Sequence, residues 1–271
     1  MAVIAPNDFF AHSEGNICPA RWRRYSKILR LVDAAADARV ALPRRWALKA
    51  ARRMPRHSVL LAAVEVPGRE SDLARVIERV SHTRQHEVNV AITRMRPVGK
   101  FENINHAIAG YDLPKYDWLL IVDDDIQLPD NFLDLLLFFS HSNGLKLSQP
   151  AHKFLSYSTY KITERHWGSQ ARSAGFVEIG PVSLLHSDTF ADLIPFPPLR
   201  WCWGLDVFWA QVAKRRGWRT GVIDAVPIRH LRPIGTSYDT RAALDEAVAF
   251  MTSQRVTINR SEIFGLNRRI S

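Results

Sequence analysis

DWLLIVDDDIQLPDNF, residues 117–132, is the stretch that decides the fold. Trp118 to Val122 form an unbroken apolar run, which reads as a strand buried on both faces. Such strands belong to parallel sheets covered by helices. In open sheets of that kind, ligands gather at the C-terminal strand ends. Three aspartates stand at this end: Asp123, Asp124 and Asp125. Side chains alternate along a strand, so Asp123 and Asp125 share a side and Asp124 points elsewhere. Three adjacent carboxylates repel one another, and a buried strand that ends in them calls for a positive partner. Hard cations such as Mg²⁺ and Mn²⁺ favour carboxylate oxygens and take one or two of them together with substrate phosphates. The plain alternative is a solvated turn, with Pro129-Asp130 capping the next helix.

Reading outward, the period of the pattern alternates. Residues 57–67 (HSVLLAAVEVP) read as a strand, and 71–82 as a helix with Ser71 at its N-cap. Residues 88–94 read as a strand, 103–109 as a short helix, 117–123 as the third strand and 131–141 as a helix. The order β-α-β-α-β-α predicts a doubly wound, mostly parallel α/β sheet with helices on both faces. Further strands are expected at 145–150, 156–163, in a pair around Gly180, and at 220–226. Helices are expected at 206–216 and 240–251. No internal repeat is visible.

The chain has 271 residues, 46% of them hydrophobic and 24% charged, enough for one large or two small domains. Its two cysteines, Cys18 and Cys202, form neither a disulfide framework nor a zinc pattern, which fits a reducing cytoplasm. There is no run of 18 apolar residues to span a membrane. The first residues lack the basic start and long apolar stretch of a secretory signal.

The net charge of +10 is unevenly spread. Residues 1–56 hold 12 Lys and Arg against 4 Asp and Glu, a net +8, and the remaining residues hold 25 against 23. In residues 19–39, Trp22, Tyr25, Leu29, Val32 and Ala36 recur at helical spacing, with Arg23, Arg24, Lys27 and Arg30 on the other side. Pro43 interrupts, and a second basic stretch follows at 44–53. Two readings stay open for residues 19–53. One is peripheral contact with the anionic inner face of a membrane. The other is a helical extension that packs its stripe on the domain. Nucleic acid is not expected, because no recognised RNA module accompanies the charge.

Tyr116–Leu133 resembles the D-x-D segment of GT-A-type nucleotide-sugar glycosyltransferases, close to the family 2 group, with Leu128, Pro129 and Leu133 matching the residues that follow. Gly99–Ile108 (GKFENINHAI) is similar to the family's G-K-x-x-A-x-N motif. Val64–Pro67 resembles the end of its first strand, although the Tyr-Asn that follows is replaced by Gly68-Arg69. The family's aspartate after the second strand is missing. The segments FENINHAI, DWLLIVDDDI and WGLD are also similar to an uncharacterised glycosyltransferase-like domain of unknown function.

The resemblance implies a GT-A-like catalytic domain over 57–235, between a basic helical extension (1–56) and a C-terminal helical tail (236–271). It implies Mn²⁺ or Mg²⁺ held by Asp123, Asp125 and His230. It implies donor contacts from Glu65, Pro67, Lys100, Asn103, Asp123, Asp124 and Arg232, with the loop 233–239 closing over the diphosphate. Glu178, Gly180, Trp201, Trp203 and Gly204 would border the sugar or acceptor. Asp206, in the place of the family's x-E-D element, would be the catalytic base. Each has a plainer reading: Lys100 as a surface lysine, Asp206 as a helix cap, the tryptophans as core, His230 as structural. The implied partners are a nucleoside-diphosphate sugar of the UDP or GDP type and a glycan or lipid-linked acceptor.

Three function classes follow. The first is a metal-dependent glycosyltransferase. The second is a non-catalytic GT-A-like domain that binds a partner. The third is a haloacid-dehalogenase-like phosphohydrolase, whose D-x-D motif Asp123 and Asp125 echo, although that motif closes a first strand and Gln127 replaces its Thr or Val.

Overall fold

The computed structural model describes residues 19–233, 239–265 and 267–270. A long helix, α1 (Pro19–Ala51), precedes the sheet. There follow β1 (Ser58–Glu65), α2 (Glu70–Ser81), β2 (Glu87–Arg94), α3 (Lys100–Ile108), β3 (Trp118–Val122), β4 (Ile126–Gln127) and α4 (Phe132–Ser142). Next come β5 (Leu145–His152), β6 (Arg172–Ala174), β7 (Val182–His186), α5 (Phe190–Leu193), α6 (Leu205–Arg216) and β8 (Arg219–His230). The chain closes with α7 (Thr240–Ser253), α8 (Arg260–Gly265) and β9 (Asn267–Arg269).

The strands run β2-β1-β3-β7-β5-β8-β6-β9, with β4 paired to β8 off this path. β2, β1 and β3 are parallel, and β5 is parallel to β8. β7 lies antiparallel between β3 and β5, so those two share a direction. Five strands therefore point their C-terminal ends the same way, as the alternation of apolar runs and helices requires. All five residues of β3 are buried, and the core forms on both sides of it. One cluster gathers Phe101, Ile104, Leu119 and Trp209, and the other gathers Leu61, Leu120, Phe132 and Leu136.

Several sequence expectations need correcting. α1 runs through Pro43 without a break. Ser71 is not a cap: α2 begins at Glu70, whose carboxylate accepts from the Gly68 N–H at 3.0 Å. No strand forms over 156–163, because serine hydroxyls there compete for nearby polar groups. Ser156 Oγ accepts from the His230 N–H, and Ser158 Oγ donates to Glu164. The pair of strands expected around Gly180 is one strand, β7. Residues 176–180 stay out of the ladder, since the Glu178 N–H donates to the Gln149 side chain and the Glu178 carbonyl accepts from Ser183. The C-terminal residues do more than cover the sheet, because β9 joins its edge at β6.

At the opposite strand ends, His57 and His86 stack with ring centroids 5.6 Å apart. The His57 N–H donates to His86 Nδ1 at 3.2 Å, so that nitrogen must stay unprotonated in the fold. Burial pushes the His86 imidazole down to about 4, with His57 adding to it and the Asp134 and Asp117 charges opposing. The unfolded chain takes its proton near pH 6.5. Stability is therefore full above about pH 6.5 and falls as the pH drops toward about 4. The expected loss is about 2–3 kcal/mol, read by urea unfolding across that range. His86→Gln keeps an acceptor and should flatten the profile; an equally steep profile in the variant would reject the assignment.

Candidate functional site

The site gathers at the C-terminal ends of β1, β3, β5 and β8. Its geometry depends on β4, a two-residue strand the apolar pattern does not announce. Ile126 pairs with His230 and Gln127 with Arg229, and the Leu231 N–H donates to the Asp125 carbonyl. This ladder sets Asp125 and His230 side by side, with Oδ1 3.2 Å from Nε2. Both side chains are nearly buried. Burial opposes the charge on Asp125, yet the His230 hydrogen bond and charge outweigh it and hold the carboxyl below its usual value. Burial likewise opposes the His230 imidazolium, and Asp125, with Asp123 and Glu178 behind it, raises its pKa.

Asp123 has a different partner. Lys100 Nζ lies 2.7 Å from its Oδ1 and donates to the Ile179 carbonyl at 3.1 Å. Lys100 is in place because α3 begins just after Gly99, whose absent side chain lets the loop at Leu199 approach: a Cβ there would lie 1.7 Å from the Leu199 carbonyl oxygen. Gly180 covers the pair. A Cβ on it would stand 3.2 Å from Lys100 Nζ and 3.3 Å from an Asp123 oxygen. Asp124 points away, as alternation requires, and meets Arg69 at 3.6 Å. Burial, together with the Asp125 and Asp123 charges, raises its pKa against the pull of Arg69 and Arg232.

A cleft of about 900 Å³ opens on the Asp124 side, between α2 and β4, and includes Asp125, Arg75, Arg79 and Arg232. Arg232 reaches Asp72 at 3.5 Å. Glu65 ends β1 and faces Arg94 at 3.5 Å, and Pro67 lies exposed beyond it. Of the loop expected to close over the diphosphate, residues 234–238 lie outside the described residues.

Three expected ligand contacts also take part in the scaffold. Asn103 is buried. It accepts from the Arg96 N–H and donates toward the Val98 and Gly99 carbonyls, so it shapes the loop that carries Lys100. Gly204 adopts a positive φ of 83° at the start of α6 and packs on Met251. That conformation favours glycine whatever binds nearby. The main chain of Trp201 is tied to α7, because Glu246 accepts the N–H groups of Arg200, Trp201 and Cys202. Trp203 is half-buried beside it.

Behind Asp125 and His230 lies a buried polar group in which His152 and Ser156 join the expected Glu178 and Asp206. His152, at the end of β5, bonds Ser156 Oγ through Nδ1 at 2.9 Å, and its Nε2 lies 3.5 Å from Glu178 Oε2. Ser156 Oγ also accepts the His230 N–H. Asp206, in the first turn of α6, is buried, and its own carboxylate accepts the Val207 N–H. Burial and the Glu178 charge raise its pKa to about 8. Glu178 and Asp206 were legible through the family resemblance, whereas His152 and Ser156 carried no sequence signal beyond a histidine near a strand end.

The divalent ion that the sequence resemblance implies can be tested against these donors. Asp125, just before β4, and His230, at the end of β8, are two hard or borderline donors side by side, and among the described residues His230 Nδ1 is buried without a hydrogen-bond partner. Among the described residues no three His, Cys, Asp or Glu side chains converge tightly enough to hold an ion alone. Two protein ligands with open positions suit an ion that completes its shell from diphosphate oxygens. The donors fit.

No family model matches the sequence, and no curated protein sequence does either. Solved structures do match. The crystal structure of GalNAc-T7 with UDP, GalNAc and Mn²⁺ aligns with a TM-score of 0.53 at 12% identity, over 72% of this chain and 48% of that one. This chain thus spans about half the length of that enzyme. The catalytic domain of Drosophila β1,4-galactosyltransferase 7 with xylobiose aligns over 70% of this chain and 79% of its own, at 13% identity and a TM-score of 0.47. At such identities the likeness to GalNAc-T7 establishes the fold, that of the GT-A glycosyltransferases.

Proposed function

We propose that this protein is a metal-dependent glycosyltransferase that moves a sugar from a nucleoside-diphosphate sugar to an acceptor hydroxyl, in glycan or polysaccharide synthesis. The observation that carries the reading is the β4–β8 ladder, which brings Asp125 against His230 while Lys100 meets Asp123 next to it. Asp125 and His230, with Asp123 beside them, would hold Mn²⁺ or Mg²⁺, whose chemistry is to neutralise the departing diphosphate. Lys100 and Arg232 carry further positive charge at the borders of the site, and Arg suits phosphate through its planar fork.

Asp206 is the proposed base. A base works best with a pKa near the working pH, and burial beside Glu178 brings Asp206 there. Glu178 and Gly180 lie on the loop over Lys100, suited to border the donor sugar. Trp201 and Trp203 flank the approach to α6 and are proposed to meet the acceptor. The domain limits proposed are 57–235 for catalysis, with flanking helical segments.

A second reading is a non-catalytic GT-A-like binding domain. The burial of Asp206 at 4% exposure favours it, because a base must reach an acceptor hydroxyl. No observation favours the phosphohydrolase, since β3 is the third strand of the sheet and borders antiparallel β7. Thermal shift with UDP and GDP, each with and without Mn²⁺, separates the remaining two, because a ligand that binds only the folded chain raises Tm. The expected result is a metal-dependent rise with one of them. No rise with either would count against the enzyme.

A further inference from the structure

α1 is apolar on two faces, and the fold uses one. Asp33, Ala36, Val40, Ala47 and Ala51 are buried against the domain. The opposite face carries Ile28, Leu31, Leu42 and Trp46, exposed by 57%, 72%, 63% and 64%. With the exposed Ala35 and Ala38 they follow the i, i+3, i+7 recurrence of a single helical stripe. Lys27, Arg30, Arg39, Arg45 and Lys49 are exposed around it.

The acids of this helix do not share that face. Asp33 accepts the N–H groups of Phe154 and Leu155 at 3.0 and 2.9 Å and pairs with Arg165. Asp37 pairs with Arg165 at 2.9 Å and Lys153 at 3.2 Å. The outward stripe is thus bordered by cations with no carboxylate among them over Tyr25–Ala51.

We propose that the outer face of α1 docks on the surface of an anionic lipid bilayer, with Ile28, Leu31, Leu42 and Trp46 in the headgroup region. A stripe of this width, with one interfacial aromatic and a cationic rim, lies in the plane of such a surface. Each nearby cation adds attraction to acidic headgroups. Charge argues against a second copy of the chain as the occupant, because a two-fold pairing would set cationic rim against cationic rim. The docking does not depend on the glycosyltransferase reading. It also does not compete with packing on the domain, since the two use opposite faces. Removing α1 cannot test it, because Arg165 would be left buried without Asp33 and Asp37.

The test is sedimentation of the full chain with phosphatidylcholine vesicles, with and without phosphatidylglycerol, for the native sequence and for a Leu31→Ser, Leu42→Ser, Trp46→Ser variant. Binding is expected only to the anionic vesicles and should weaken at high salt. The triple variant should lose at least tenfold in partitioning while its melting temperature holds, since all three side chains are exposed. Absence of binding by the native chain, or equal binding by the variant, overturns the proposal. So does a concentration-dependent dimer that the same substitutions abolish, found by ultracentrifugation without lipid.

Discussion

Asp125→Asn is expected, under the proposed reaction, to lower Mn²⁺-dependent hydrolysis of the proposed nucleotide-sugar donor by about a thousandfold or more, because a metal's charge stabilisation amounts to several kcal/mol and each 1.36 kcal/mol is tenfold in rate. Asparagine keeps the shape and an oxygen but removes the charge. It also removes the partner that raises the His230 pKa, so the imidazole titrates lower and is freer to donate to metal. The fold should therefore survive, at a cost of about 1–2 kcal/mol for the lost charged hydrogen bond. Calorimetry with UDP or GDP and Mn²⁺ should show weakened binding in the same variant. Native-like turnover in Asp125→Asn would remove Asp125 from the metal site, and a collapsed melting temperature would show that the carboxylate is structural.

Arg172→Met should cost about 3–5 kcal/mol of folding stability, the usual penalty for leaving one member of a buried ion pair alone. Arg172 is fully buried at the start of β6. Its Nε donates to Asp224 at 2.9 Å, and its other nitrogens donate to the carbonyls of Ile162 and Glu164 at 3.0 and 2.7 Å. Methionine fills similar volume and satisfies none of these. Adding Asp224→Asn should recover part of the loss, because the stranded charge goes with it. Chemical denaturation reads both; a single-variant loss below about 1 kcal/mol would show that water reaches the pair.

Much of the fold was legible because β1 and β3 are apolar runs and β2 alternates apolar with polar residues, patterns that need no partner to be recognised. Asp123 and Asp125 could be separated from Asp124 by alternation alone. The contact that closes the site could not. β4 is two residues long, and Asp125 and His230 meet only through pairing across more than a hundred positions. Asn103 shows the opposite case: its motif is readable, but its bonds to the Arg96, Val98 and Gly99 main chain, which hold the loop before Lys100, are not. Ser156 and Glu246 act through distant main-chain groups, and His152 through the Glu178 carboxylate, which no local periodicity encodes.

The antiparallel strand β7 has a consequence for how the chain comes together. β1, β2 and β3 assemble from one continuous stretch, Ser58–Val122. The outer side of β3 then waits for Val182–His186, and β5 waits for β8. Contacts of such sequence separation form slowly. During synthesis the WLLIV strand therefore stands as an open, apolar sheet edge while some sixty more residues emerge, at about 5–20 residues per second. An unpaired edge of this kind is a template for joining another chain. The interval between Val122 and Val182 is when this protein is most exposed to aggregation, and fragments that end before β7 should be insoluble where the full chain is not.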